Sequence, residues 1–144
     1  MLKGEKVKLR ALEPEDIEIL YQWENNVLLW HLGNTQTPFS KMILKQYLQN
    51  SHLDLASIKQ LRLVIECLET NTAVGFIDLF DYDAKNERAG IGILIAEEKN
   101  RQKGFASEAI DLLIQYSFRI LNLKQLFCNI LSDNNQSIKL FESK

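Results

Sequence analysis

Polar and apolar residues alternate from Lys6 to Ala11, with Val7, Leu9 and Ala11 set against Lys6, Lys8 and Arg10. A period of two predicts a strand over Val7–Ala11 with one buried side. Pro14 then opens a helix at a position where its missing N–H costs nothing. Ile17, Leu20, Tyr21 and Glu24 follow helical spacing, and Asn25-Asn26 ends the element. Ser40 is placed to cap a second helix carrying Ile43, Leu44, Tyr47 and Leu48. From Asn50 to Lys59 neither period is present, and a loop is expected. Leu61–Leu68 is β-prone, Glu69–Thr72 has turn chemistry, Val74–Phe80 is a strand, Asp81–Glu87 a polar turn and Ala89–Ile95 a strand. Those three strands form an antiparallel meander. After a polar loop to Gly104, a helix is expected over Phe105–Leu121, burying Ala106, Ala109, Ile110, Leu113, Ser117, Ile120 and Leu121. Gln125–Leu131 is a strand, and Asn134 or Asn135 starts a last helix to Lys144. The strand–helix–strand from Ala89 to Leu131 places its strands parallel by a right-handed crossover, which makes the fold α/β with a mixed sheet.

The chain has 144 residues, the size of one domain, with 46% hydrophobic and 25% charged residues. Its formal net charge is −2, so no basic field exists to recruit nucleic acid. The longest apolar run, Ile91–Ala96, is strand-sized, and the first residues carry no apolar secretion stretch. No membrane partner and a cytoplasmic location are expected. Cys67 and Cys128 each lie in an apolar run and are expected as buried, reduced thiols. His31 and His52 have no cysteine near them and do not form a metal site.

The informative segment begins with Ile93, Leu94 and Ile95 and continues through Arg101, Gln102, Lys103, Gly104, Phe105, Ala106 and Ser107. A buried strand delivers the chain to a loop that opens into a helix. The first turn of a helix carries unpaired N–H groups and the positive end of its dipole, which suits phosphate. Gly104 lets main chain approach a ligand, Ala106 and Ser107 are small, and Lys99, Arg101 and Lys103 are cations. Neither G-x-x-x-x-G-K-[ST] nor G-x-G-x-x-G is present, so nucleoside triphosphate and dinucleotide chemistry are not indicated. Taken alone, the segment reads equally as a solvated loop whose glycine turns the chain into a helix.

Arg101-Gln102-Lys103-Gly104-Phe105-Ala106, followed by a long helix, a strand, and then Asn134, Ser137, Phe141 and Glu142, resembles the GNAT superfamily of acetyl-CoA-dependent N-acetyltransferases. Those residues match its [RQ]-x-x-G-x-[GA] and N-x-x-[AS]-x-x-x-[YF]-E motifs in order and spacing. The opening from Val7 to Asp16 is also similar to the start of the family, so the resemblance spans nearly the whole chain. It implies a mixed, mostly antiparallel sheet around a central parallel strand–helix–strand unit. It also implies acetyl-CoA as co-substrate and transfer of an acetyl group to a primary amine, first of all a polyamine such as spermidine. Same-class and different-class alternatives are a protein N-terminal acetyltransferase of the ribosomal-protein type and a non-catalytic acyl-CoA-binding module.

The residue roles implied by the resemblance are specific. Ile93, Leu94, Ile95, Arg101–Ser107, Asn134 and Ser137 bind the cofactor, with the N–H of Leu94 or Ile95 meeting the developing oxyanion. An alkyl ammonium must lose a proton before it attacks, and Asp78, sharing a face with Phe76 and Phe80, is the first candidate acceptor, ahead of Glu66. Phe141 stands where many members place the tyrosine acid, and Ser137, one turn earlier, is a stand-in through water. The acids Glu13, Glu15, Asp16, Glu18 and Glu24 suit a polycationic acceptor, or else a solvated helix face. Tyr21, Trp23 and Trp30 are expected in the core. Gly90 lies near a position where polyamine-type members often carry glutamate, and the loop before Arg101 is one residue longer than usual. The family continues past the position of Lys144 into Gly-Phe and two strands. Their absence predicts a truncated single domain, an unpaired sheet edge and a homodimer.

Overall fold

The computed structural model describes residues 2–25, 38, 40–50, 55, 59–96, 100 and 103–127. Strand β1 (Val7–Ala11) leads through a 3-10 turn (Pro14–Asp16) into α1 (Ile17–Glu24). Helix α2 (Lys41–Asn50) precedes β2 (Leu61–Cys67), β3 (Thr72–Asp83) and β4 (Arg88–Ile95). Helix α3 (Phe105–Arg119) and β5 (Gln125–Phe127) complete the described elements. The five strands lie in one sheet in sequence order. Pairs β1–β2, β2–β3 and β3–β4 are antiparallel and β4–β5 is parallel, as the expected crossover requires.

Helices cover both faces. On one, α3 sets Ala109, Ile110 and Leu113 against Val7, Leu63, Ile65, Ile77 and Leu79. On the other, α1 and α2 bring Leu20, Leu44 and Leu48 onto Leu12, Val64 and Phe76. Trp23 meets the Phe76 ring edge-on at 4.9 Å, whereas Tyr21, expected in the core, is exposed. Cys67 is buried and free. Cys128, Trp30 and the last predicted helix lie outside the described residues.

Three boundaries differ from expectation. The first turn of the Pro14 helix is 3-10. Strand β3 runs to Asp83, because pairing resumes at Asp83↔Arg88 after a register shift past Phe80, and only the residues between them form the turn. Helix α3 ends at Arg119, so Ile120 is 54% exposed instead of buried, and Asn122 at φ 57° takes the chain out of the helix.

Arg10 ties β1 to both neighbours. Its Nη1 and Nη2 donate to Asp16 Oδ2 and Oδ1 at 2.8 and 3.0 Å, and its Nε donates to Glu66 Oε2 at 2.6 Å. Asp16 also accepts the Glu13 N–H at 2.7 Å, closing the 3-10 turn. Burial by itself would raise the Asp16 carboxyl, but the Arg10 fork and the Glu13 N–H outweigh it and hold the group below its ordinary value. A depressed carboxyl stabilises the fold fully above its ordinary value, near 4, and loses that contribution as pH falls through the depressed value. Asp16→Asn should therefore lower the unfolding free energy by about 2 kcal/mol at neutral pH. The gap to the parent should close on acidification, read from urea unfolding at several pH values. A gap that is absent or independent of pH would remove Asp16 from the set of stabilising groups.

Candidate active site

The β3–β4 ladder sets the geometry of the candidate site. Gly75↔Ile95, Phe76↔Leu94, Ile77↔Ile93 and Asp78↔Gly92 are paired. Gly75 is required by close approach, since a Cβ there would collide with the Leu94 carbonyl oxygen. The Ala96 N–H donates to Val74 O at 3.0 Å. Because main-chain direction alternates along an antiparallel ladder, the Leu94 N–H falls on the β3 side, while those of Ile93 and Ile95 fall on the β5 side. Of the two expected oxyanion donors, Ile95 is therefore the one oriented away from β3. The parallel ladder to β5 spans Arg88↔Gln125 to Gly90↔Phe127 among the described residues.

Asp78 lies on the face covered by α1 and α2, together with Phe76, as its alternation predicted. Its cross-strand partner is Arg62. Arg62 Nε donates to Asp78 Oδ1 at 2.7 Å, and Nη2 donates to Oδ2 at 2.8 Å. Arg62 Nη1 donates to Glu24 of α1, and the guanidinium stacks 4.9 Å from the Phe76 ring centroid and 5.6 Å from that of Tyr47. Burial would lower the Arg62 pKa, but the Asp78 carboxylate outweighs it and raises it further, so the guanidinium stays charged. Burial pushes the Tyr47 phenol up to about 12, and Gln60 Nε2 donates to its oxygen at 3.2 Å. Tyr47 is thus protonated at neutral pH. The fork occupies two of the roughly four acceptor positions of the Asp78 carboxylate, which leaves others for an incoming N–H.

Next to Asp78, among the described residues, a Cβ on Gly92 would meet only the edge of Phe80, at 3.7 Å. At Gly90 the reverse holds, because a Cβ would run into the Phe80 ring, which packs edge-on against Phe127 at 5.8 Å. No side chain fits at position 90 while Phe80 stands there. Glu66, the second candidate base, is engaged by Arg10 at 2.6 Å and by Lys8 at 3.6 Å. The acids of the first helical segment are likewise partly committed inward, Asp16 to Arg10 and Glu24 to Arg62, while Glu13, Glu15 and Glu18 are exposed.

At the start of α3, Gly104 is the N-cap residue with φ 84° and ψ 2°, a left-handed conformation that favours glycine. Its carbonyl accepts the Glu108 N–H at 3.1 Å, so the helix begins at once. Phe105 and Ala106 pack on the core below α3, which leaves their main chain as the part available to a ligand. Lys103 is exposed, and its carbonyl accepts a hydrogen bond from Lys6 Nζ at 3.1 Å. Lys6, 97 positions earlier, was invisible in the loop pattern, and so were Arg62 as the partner of Asp78 and Glu24 as the second acid on Arg62. Only a known strand register would have shown them. Arg101, Gln102, Asn134, Ser137 and Phe141 lie outside the described residues. Among the described residues no cluster of metal-ligating side chains occurs, and no helix is long and apolar enough to cross a membrane.

Comparisons with known proteins agree with this layout. Spermidine N(1)-acetyltransferase of Escherichia coli (strain K12) is 28% identical over 141 residues, covering 98% of this chain and 73% of that protein. The uncharacterized N-acetyltransferase p20 of Bacillus licheniformis is 33% identical over 143 residues, covering 99% and 79%. The crystal structure of spermidine N-acetyltransferase from Vibrio cholerae in complex with CoA and spermine matches with a TM-score of 0.86 at 25% identity, over 97% of this chain and 80% of that one. The model of the acetyltransferase (GNAT) domain matches residues 6–143, and the chain therefore belongs to the GNAT acetyltransferase family.

Proposed function

We propose that the protein transfers an acetyl group from acetyl-CoA to a primary amine of a polyamine such as spermidine. The observation that carries this reading is the family match over residues 6–143, joined by relatives named for spermidine acetylation that align with nearly the whole chain. The loop fits the co-substrate: Gly104 leaves its left-handed N-cap clear of any Cβ, and the Lys6 ammonium borders it. Main-chain amides from Gly104 to Ser107 would hold the diphosphate, with Arg101, Gln102, Asn134 and Ser137 as further contacts. When bound, acetyl-CoA supplies a thioester carbonyl for an amine to attack. Ile93, Leu94 and Ile95 would form the wall beside that carbonyl.

Asp78 stands opposite Gly92, two residues or about 7 Å along β4 from Leu94. The Arg62 fork holds its carboxylate from the β2 side, and Gly92 lies across β3 from that fork. From there Asp78 accepts an N–H of the incoming ammonium and takes its proton directly or through water. Phe141 has no proton to give, so Asp78 is the side chain proposed to receive one.

Three measurements test this. In a thiol-release assay with spermidine, spermine, monoamines and free-N-terminal peptides, the polyamines should react fastest. Turnover of peptides alone would replace the polyamine reading, and acetyl-CoA binding without turnover of any amine would replace catalysis. Gly104→Val should weaken acetyl-CoA binding by about 100-fold or more, since it puts both a strained side chain and bulk at the loop. Unchanged affinity would mean that the loop is not the cofactor site. Asp78→Asn should lower kcat by about 100-fold or more while acetyl-CoA affinity stays within about threefold. Full turnover by that variant would exclude Asp78 as proton acceptor.

A further inference from the structure

We propose that Lys6 is a further cofactor-binding residue, whose ammonium, held beside Gly104 on the Lys103 carbonyl, meets the diphosphate of an acyl-CoA. This rests on the reading of the Gly104 loop as the diphosphate site. It adds a residue from the other end of the chain that the loop motif does not contain.

The placement is built from both strands and helix. Glu108, in the first turn of α3, accepts the main-chain N–H of Lys6 at 2.8 Å and of Val7 at 3.0 Å, both on Oε1. That carboxylate clips the start of β1 to the start of α3. The Lys6 side chain then runs along the helix end, and Nζ donates to Lys103 O at 3.1 Å. A Cβ on Gly104 would lie 2.7 Å from that Nζ, so the ammonium occupies the space directly over the glycine.

The electrostatics make this an unusual place for a cation. The N-terminal end of a helix carries positive partial charge and favours anions. Lys6 is placed there beside Lys103, and Glu108 Oε1 is already shared by two main-chain donors. One carbonyl contact offsets only part of the repulsion between the Lys6 ammonium and the helix dipole. An anion bound at the helix end is attracted by both. A diphosphate is the group that the Gly104 loop is read to take, and its oxygens accept charge-assisted hydrogen bonds from Nζ. The ammonium has three donors and gives one to Lys103, so it can keep that bond and reach the ligand.

The test compares donors with and without the diphosphate. Dissociation constants of acetyl-CoA and of S-acetylpantetheine are measured by titration calorimetry for the parent, Lys6→Gln, Lys6→Arg and Gly104→Val. Lys6→Gln should weaken acetyl-CoA by about tenfold, steeply reduced by added salt, and change S-acetylpantetheine by less than about twofold. Lys6→Arg, which keeps the charge, should restore acetyl-CoA affinity to within about threefold of the parent. Equal losses on both donors would show a purely structural role and overturn the proposal, and so would no loss on acetyl-CoA. If Gly104→Val weakens acetyl-CoA while Lys6→Gln does not, Lys6 alone is excluded. If Gly104→Val leaves it unchanged, the loop reading fails and the Lys6 proposal falls with it.

Discussion

Six consecutive pairings between β3 and β4, from Gly75↔Ile95 to Phe80↔Gly90, set where the strand residues of the candidate site point. They place Asp78 opposite a glycine, direct Leu94's N–H at β3 and turn Ile95's the other way. A slip of one residue would send Asp78 into the α3-side core among Ile65 and Ile110 and bring Ile77 out. Burial guards against that slip, because both faces of the sheet are covered and each tolerates only its own side-chain set. Gly75 adds a steric check: it admits the Leu94 carbonyl at a distance no other residue would allow.

Two arginines fasten the α1 side to this sheet, and they do so by the same means. Arg10 spans β1, β2 and the turn before α1, and Arg62 spans β2, β3 and the end of α1. Each uses a planar fork with two carboxylates, the geometry that guanidinium offers and ammonium does not. One guanidinium serves two acids in both cases; Lys8, 3.6 Å from Glu66, balances the Arg10 cluster, whereas among the described residues the Arg62 cluster carries a net negative charge. At Arg62 that surplus lies across β3 from Gly92, and the arginine holds the acids close together despite their mutual repulsion.

The meander, the parallel crossover and the α3 helix were readable from spacing alone, because their apolar residues keep one period over many positions. Shared facing of Asp78 and Phe76 followed from the same alternation. The partner of Asp78 was not readable, since Arg62 reaches it through a strand register, and Glu24 reaches Arg62 through a helix packing, that one strand's pattern does not encode. Lys6 was hidden for a related reason: 97 residues separate it from Lys103, and the clip that joins them is a side chain accepting main-chain donors. Asp81–Glu87 was expected as one polar turn because Asp81, Asp83 and Asn86 are turn formers, yet the ladder carries on through Asp83. Exposed β-ribbons tolerate polar residues on both faces, and composition misreads them as loop.

The aromatic pair over Gly90 has a consequence for how this chain can diverge. Phe80 and Phe127 fill the volume that any side chain at 90 would need, so the glycine and the ring are locked together. An acidic group can enter at 90 only if Phe80 is cut back in the same step, and shrinking Phe80 first would open a void against Phe127. Each single change is costly and the pair is not, which is epistasis written directly into van der Waals contact. Lineages that differ at these two sites should therefore be separated by coupled substitutions, with few surviving intermediates.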